Sequence, residues 1–160
     1  MTDGSPGGMD RAALEGAVVV GDDASAASRA AVAWAREDAA RRGVPLVVVR
    51  AWSLTNAPRP SGAEHGYVPS EDEYAEAVRA EMAHDLQGTV GDRAEGSVIL
   101  MPAHCSATDA LLHASHHAAL TVVGARGSGL ARWLGSVSSA VVKSAAGPVV
   151  VVPDRRRPEG

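Results

Sequence analysis

Five short runs of apolar residues, rich in valine, recur along the chain and are separated by stretches with helical periodicity. Runs that lack a polar face are typical of strands buried on both sides, as in parallel sheets. Consecutive parallel strands need a crossover connection, which the intervening helices supply. The sequence therefore predicts an α/β fold with helices on both faces of a five-stranded parallel sheet. The predicted strands are residues 17–21, 45–52, 97–101, 120–123 and 148–152, and the predicted helices are residues 27–42, 70–86, 106–117 and 135–145.

A glycine-rich segment joins the fourth predicted strand to the last predicted helix. Gly124, Gly127 and Gly129 lack the Cβ atom that would keep a phosphate away from the backbone, and Gly135-Ser136 stands where the helix begins. Two known phosphate motifs do not match. Gly129 is not followed by the Lys-Ser/Thr pair of a Walker loop, and Arg132 stands where a dinucleotide fingerprint needs a third glycine. The segment predicts either a phosphate-binding loop or a tight turn between strand and helix.

Length and composition restrict the class of protein. The 160 residues suit one domain, predicted over residues 17–153, between a flexible N-terminal leader (1–16) and a charged C-terminal tail (154–160). A net charge of −4 gives no indication of nucleic-acid binding. The lone cysteine, Cys105, allows no internal disulfide, and no secretory leader or apolar run of membrane-spanning length is seen. We expect a soluble, cytoplasmic protein without nucleic-acid or membrane partners.

Histidines and the cysteine indicate two other kinds of chemistry. His113 and His117 lie one helical turn apart and could share a metal ion, but no third ligand has matching spacing. His104 and Cys105 could act as base and nucleophile, although neighbours in sequence rarely have the required geometry. A buried thiol is the preferred interpretation. The sequence therefore predicts no metal ligands and no catalytic residues.

The glycine spacing resembles the universal stress protein family, whose signature is Gly, two residues, Gly, nine residues, Gly, and Ser or Thr. Gly124, Gly127, Gly135 and Ser136 match it, except that seven residues separate Gly127 from Gly135. The missing two residues remove about 7 Å of reach from the loop that wraps the phosphates in nucleotide-binding members. Residues 147–153 also resemble the closing strand of the family. Residues 23–25, Asp-Ala-Ser, resemble the end of its first strand, with alanine in the usual glycine place.

The resemblance implies a three-layer α/β/α sandwich, Rossmann-like and similar to the adenine nucleotide alpha hydrolases, with strand order 3-2-1-4-5. Ligands of such sheets bind at the carboxyl ends of strands one and four, beside the switch point. In the family, residues at the positions of Asp23 and Ala51 hold the adenosine end of ATP, and the glycine loop holds the phosphates. The candidate nucleotide-binding residues are Asp22, Asp23, Ala51, Val123, Gly124, Arg126, Gly127, Gly135, Ser136, Val137 and Ser138.

Three functions remain open. One is an enzyme with its own active site, for which no nucleophile–base pair or metal set stands out; the other two are functions of a universal stress protein. The first is a stress-response or signalling module that binds ATP or AMP, with Mg²⁺ if the ligand is ATP, and that hydrolyses ATP slowly at most. The second is a nucleotide-free family member that acts as a dimeric partner-binding protein because its phosphate loop is shortened. For both, the family implies a homodimer in which the last strand, Val149–Val152, pairs with its symmetry mate; other protein partners are unknown. Four valines at a sheet edge would otherwise form an exposed, aggregation-prone strand.

Overall fold

A computed structural model describes residues 5–91, 97–125 and 134–154 of the chain. Within these residues a five-stranded sheet has the order β3-β2-β1-β4-β5, and each neighbouring pair of strands is parallel. The predicted α/β class and strand order are therefore confirmed. The strands are β1 (Val18–Gly21), β2 (Leu46–Ala51), β3 (Val98–Ala103), β4 (Leu120–Gly124) and β5 (Val149–Val152).

Helices cover both faces of the sheet and give the molecule two apolar cores. Because side chains alternate along a strand, Val18 and Val20 of β1 belong to one core and Val19 belongs to the other. No helix of the described residues is long and apolar enough to cross a membrane. The first core lies under α2 (Ala26–Arg42), α3 (Glu71–Asp85) and the short α4 (Gln87–Val90); the second lies under α1 (Arg11–Leu14), α5 (Ala107–Ser115) and α6 (Ser136–Ser144).

Local sequence signals fix several of the element boundaries. Ser70 and Glu73 form a capping box at the start of α3, in which the Ser70 hydroxyl accepts from Glu73 N–H and the Glu73 carboxylate accepts from Ser70 N–H. Strand β3 continues beyond its predicted end at residue 101, through Pro102. Proline is tolerated there because β3 is an edge strand, so the N–H that proline lacks is not needed for pairing with a further strand.

The N-terminal segment differs from the predicted flexible leader. A single 3₁₀ turn (Pro6–Gly8) and α1 pack on the sheet, with Met9 and Leu14 fully buried in the second core. The segment is also held by polar contacts, since His104 N–H donates to Gly7 O and the Glu15 carboxylate contacts His117 Nδ1 at 2.9 Å. Met9 and Leu14 belong to the same apolar core as the buried residues of α5 and α6. Of the predicted tail, only Asp154 lies within the described residues.

Candidate functional site

The candidate site is a cleft of about 150 Å³ at the carboxyl ends of β1 and β4. In the strand order, β1 lies between β2 and β4, so the chain leaves the sheet in opposite directions from two adjacent strand ends. The cleft therefore opens at the predicted switch point. Every candidate residue that the structure describes lines it: Asp22, Asp23, Ala51, Val123, Gly124, Gly135, Ser136, Val137 and Ser138. The other two candidates, Arg126 and Gly127, lie outside the described residues, as do Gly129, Arg132 and Trp133.

Asp22 forms a buried ion pair that the sequence reasoning missed. Its Oδ2 atom accepts from Arg50 Nη2 at 2.5 Å and from Arg50 Nε at 3.1 Å. The second amino group of Arg50, Nη1, donates to Asp85 Oδ2 of α3 at 2.9 Å. Burial lowers the pKa of Arg50, but the charge of Asp22 and the hydrogen bonds to Asp22 and Asp85 outweigh burial and raise that pKa. Arg50 therefore remains positively charged between two carboxylates.

The alternation of side chains along β1 and β2 contains a signal for the ion pair between Asp22 and Arg50. Gly21 is in register with Val49, so Asp22 and Arg50 are the next residues along two neighbouring strands. Asp22 continues the alternation of Val18 and Val20, and Arg50 continues that of Leu46 and Val48, so all lie on the α2 and α3 face. A lone arginine in a strand predicted to be buried on both sides requires a counter-charge.

Both carboxylate oxygens of Asp22 are occupied by protein donors. Oδ1 accepts from Ala24 N–H at 3.0 Å and from the Ser28 hydroxyl at 3.1 Å, while Oδ2 is held by Arg50. The Asp22 side chain has no exposed surface. A ligand could therefore reach the Asp22 carboxylate only by displacing one of these donors. The geometry gives Asp22 the role of holding the loop between β1 and α2.

Asp23 and Ser25 arrange the entrance of α2 beside the cleft. The Ser25 hydroxyl caps the helix by accepting from Ser28 N–H at 3.1 Å, and Asp23 Oδ1 accepts from Ser25 N–H at 3.0 Å. Asp23 is exposed and lines the cleft, whereas Asp22 is buried. Of the two neighbouring carboxylates, Asp23 is thus the one presented to a ligand.

Ala24, between Asp23 and Ser25, has a backbone conformation that favours glycine. Its φ of 66° is in the left-handed region, where a Cβ atom costs about 1–2 kcal/mol. We expect Ala24→Gly to raise the free energy of unfolding by about 0.5–1 kcal/mol, after allowance for the greater freedom of glycine in the unfolded chain. Chemical denaturation measures this change.

The matched control is Ala33→Gly, at an exposed position in the middle of α2. That substitution is expected to lower the free energy of unfolding by about 0.5–1 kcal/mol, because glycine weakens a helix. The interpretation of Ala24 fails if both substitutions destabilise the protein equally.

The two ends of the glycine segment are fixed by close contacts. A Cβ atom on Gly124 would lie 2.7 Å from the carbonyl oxygen of Ala27, so glycine is required here by the packing of β4 against the start of α2. The Ser138 hydroxyl donates to Gly124 O at 2.7 Å, which joins α6 to the end of β4. The role of these two residues in the described structure is therefore to hold the walls of the cleft together.

The amino end of α6 opens into the cleft. Gly135, Ser136 and Val137 all line it, and no side chain of the described residues caps this nine-residue helix. The first N–H groups of a helix have no partner within the helix and lie at the positive end of its dipole. This end of the cleft is consequently suited to an anion.

The other candidate chemistry is not assembled in the described residues. His104 and His117 contact Glu71 and Glu15 respectively, and no group of three or more His, Cys, Asp or Glu residues in the described ranges is arranged to hold a metal ion. Burial and the charge of Asp109 raise the pKa of Cys105, which favours its neutral thiol. A neutral thiol is a weak nucleophile.

Comparison with known sequences gives the family. The model of the universal stress protein family matches residues 16–153. Among curated relatives, Universal stress protein Rv1996 of Mycobacterium tuberculosis is 34% identical over 163 residues, covering 88% of this chain and 49% of its own length. Universal stress protein Rv2005c of the same organism is 37% identical over 138 residues, covering 84% of this chain and 44% of its own. The chain thus spans about half the length of these relatives.

Solved structures of the same family share the fold. A universal stress protein solved in complex with cAMP aligns with a TM-score of 0.60 at 23% identity, over 88% of this chain and 98% of that one. The universal stress protein from Archaeoglobus fulgidus, solved in complex with dAMP, aligns with a TM-score of 0.52 at 25% identity, over 87% of this chain and 98% of that one. Since the family match extends through the whole described sheet and includes both walls of the cleft, this chain belongs to the universal stress protein family.

Proposed function

We propose that this chain binds an adenine nucleotide, ATP or AMP, in the cleft between β1 and β4 and acts as a stress-response or signalling module. The observation that carries the proposal is the amino end of α6, which lines the cleft, is capped by no side chain within the described ranges and is suited to phosphate. The adenosine end would lie at the other wall, near Asp23 and Ala51. The dAMP complex of the Archaeoglobus fulgidus relative supports an adenine ligand.

The phosphates would extend towards the glycine segment, which contains Gly127 of the signature and the candidate residue Arg126. Mg²⁺ would accompany ATP through the phosphate oxygens. The described lining contains serine hydroxyls and two carboxylates, one of which, Asp22, is already bound to Arg50. No pair of nucleophile and base stands out in it, so any hydrolysis of ATP would be slow.

A titration with ATP and Mg²⁺ in a calorimeter tests the proposal. The unmodified chain is expected to bind one ATP, and Gly127→Glu is expected to abolish binding, because a carboxylate would occupy the space of the phosphates and repel them. Gly88→Glu is the matched control, since Gly88 lies in α4 with open space around its Cβ position. An unmodified chain that takes up neither ATP nor, in a second titration, AMP contradicts the proposal; equal binding by Gly127→Glu places the ligand elsewhere.

A nucleotide-free function is the second candidate, and two observations favour it. The loop between Gly127 and Gly135 is two residues shorter than the family signature. The described walls enclose about 150 Å³, whereas pockets for small molecules commonly have about 300–1,000 Å³. In this case the chain would act by dimerising and binding a protein partner.

The homodimer is part of both candidate functions. Strand β5 lies at an edge of the sheet, and its four valines are half-buried in a single chain. Pairing of β5 with a second copy would satisfy the outer backbone groups of this strand and cover the valine side chains. The assembly would then extend one sheet through two chains.

Val151→Lys is expected to convert the dimer to a monomer, because a charged side chain would be buried in the interface. Light scattering after size-exclusion chromatography measures the mass of the assembly. Val68→Lys is the control, since Val68 is 85% exposed on the loop before α3, which packs near the opposite edge of the sheet. A dimer that persists in folded Val151→Lys excludes this interface.

A further inference from the structure

We propose that Arg50 is the positioning residue of the nucleotide cleft: through Asp22 it holds the loop that presents Asp23, and through Asp85 it couples this loop to helix α3. The proposal rests on the proposed function for its ligand, but its geometry is a property of the chain without a ligand. Arg50 itself does not line the cleft.

The guanidinium of Arg50 joins two elements that have no other described polar contact to one another. Its Nε and Nη2 atoms donate to Asp22 Oδ2, at 3.1 and 2.5 Å, and Nη1 donates to Asp85 Oδ2 at 2.9 Å. The Arg50 side chain is 9% exposed and the Asp85 side chain 25% exposed. The hydrogen bonds of Arg50 therefore connect Asp22, at the buried end of β1, to Asp85, near the surface at the end of α3.

Asp22 connects Arg50 to the loop between β1 and α2. Its second oxygen accepts from Ala24 N–H and from the Ser28 hydroxyl, so the turn from residue 22 to the first turn of α2 is tied to one carboxylate. Ala24 has a φ of 66°, which is unfavourable for alanine and is maintained only if its surroundings hold it. Without Arg50, the Asp22 carboxylate would lose two charge-assisted hydrogen bonds, and the loop would lose its fixed point.

Arg50 also affects the charge that a ligand meets. The cleft is lined by Asp22 and Asp23, and a phosphate entering it would be repelled by both carboxylates. The positive charge of Arg50 offsets that of Asp22 at a separation of 2.5 Å, which reduces the repulsion between Asp22 and a phosphate. Removing Arg50 should thus weaken nucleotide binding for two reasons: the loop would no longer be held in position, and the unpaired Asp22 would repel phosphate more strongly.

The test compares Arg50→Met and Arg50→Lys with Arg42→Met, a control that removes an exposed arginine bound to Asp38 on the same helix. Amide hydrogen exchange of Ala24 is followed by NMR without ligand, and ATP affinity is then measured by calorimetry. For Arg50→Met we expect Ala24 exchange to be at least about tenfold faster and ATP binding about tenfold weaker, from the loss of charge-assisted hydrogen bonds. Arg50→Lys keeps the positive charge but lacks the planar guanidinium that donates two hydrogen bonds to Asp22. Compared with Arg50→Met, it should therefore restore part of the ATP affinity but little of the protection of the Ala24 amide from exchange.

Asp85→Asn is the second variant, for use if Arg50→Met does not fold. It removes the charge of Asp85, at the partly exposed end, and leaves the ion pair of Arg50 with Asp22 in place. The increase in Ala24 exchange is therefore expected to be smaller than in Arg50→Met. Ala24 exchange in folded Arg50 variants equal to that in Arg42→Met overturns the proposal. Faster exchange with unchanged ATP affinity also overturns it. If the unmodified chain binds no ATP, the proposed function fails, while Ala24 exchange still decides whether Arg50 positions the loop.

Discussion

Replacing Asp22 by asparagine is expected to lower the free energy of unfolding by about 3 kcal/mol, the lower end of the range for breaking a buried ion pair. The loss arises because Arg50 would remain buried with only Asp85 and the more distant Glu81 as negatively charged partners. Asparagine keeps the shape of the side chain, so a cavity does not contribute. Denaturation in urea measures the effect. The slope of the free energy of unfolding against urea concentration is expected to be unchanged.

Asp23→Asn is the matched control for this experiment, because it removes the same charge from the next residue, at an exposed position. We expect its free energy of unfolding to change by no more than about 0.5 kcal/mol. An Asp22→Leu, Arg50→Met double variant should be more stable than Asp22→Leu alone, since it leaves no unpaired charge. Equal stabilities of Asp22→Asn and Asp23→Asn would contradict the structural role of the ion pair.

Replacing Gly124 by alanine is expected to lower the free energy of unfolding by about 1–3 kcal/mol, a typical result of overpacking. The added Cβ would lie 2.7 Å from Ala27 O and 2.9 Å from Ala27 C, both of them backbone atoms. Helix α2 cannot avoid the contact by rotating a side chain, so it must move away from β4. Because Ala27 and Gly124 both line the cleft, we also expect nucleotide binding to weaken.

The control is Gly88→Ala, at a helical position where the structure has open space around the added Cβ. Alanine stabilises a helix relative to glycine by about 0.5–1 kcal/mol. Gly88→Ala should therefore be at least as stable as the unmodified chain. If Gly124→Ala has the same denaturation midpoint as Gly88→Ala, the close packing of β4 against α2 at Gly124 is contradicted.

The architecture could be predicted from the sequence because its signals are repeated. Five apolar runs between helical patterns predict a parallel sheet, and the family resemblance supplies the strand order. The location of the cleft follows from that order, since the ends of β1 and β4 meet at the switch point. A glycine signature and an Asp-Ala-Ser turn then identify the residues at those two ends.

Pairing between distant residues was harder to predict. Asp22 and Asp23 are adjacent in sequence, but Asp22 is buried and bound to Arg50 whereas Asp23 is exposed. Alternation along β2 indicates that Arg50 needs a counter-charge, but choosing Asp22 over Asp23 as its partner also requires the register of β1 on β2. The glycine requirement at Gly124 likewise depends on the approach of α2, 97 positions earlier in the chain at Ala27.

The packing of residues 5–16 on the sheet could not be predicted because the local signal is weak. Proline and glycines near residues 6–8 are typical of a mobile leader, whereas burial of Met9 and Leu14 depends on the apolar core that they share with α5. Contacts predicted for Arg126 and Gly127 stay predictions, since both residues lie outside the described ranges.

Native mass spectrometry of the purified chain, repeated after addition of ATP and Mg²⁺, tests nucleotide binding most directly. We expect each chain to carry one adenine nucleotide as purified, or to take up one on addition of ATP. A folded chain whose mass shows no nucleotide before or after ATP is added would contradict it, and would favour the partner-binding function of the shortened loop.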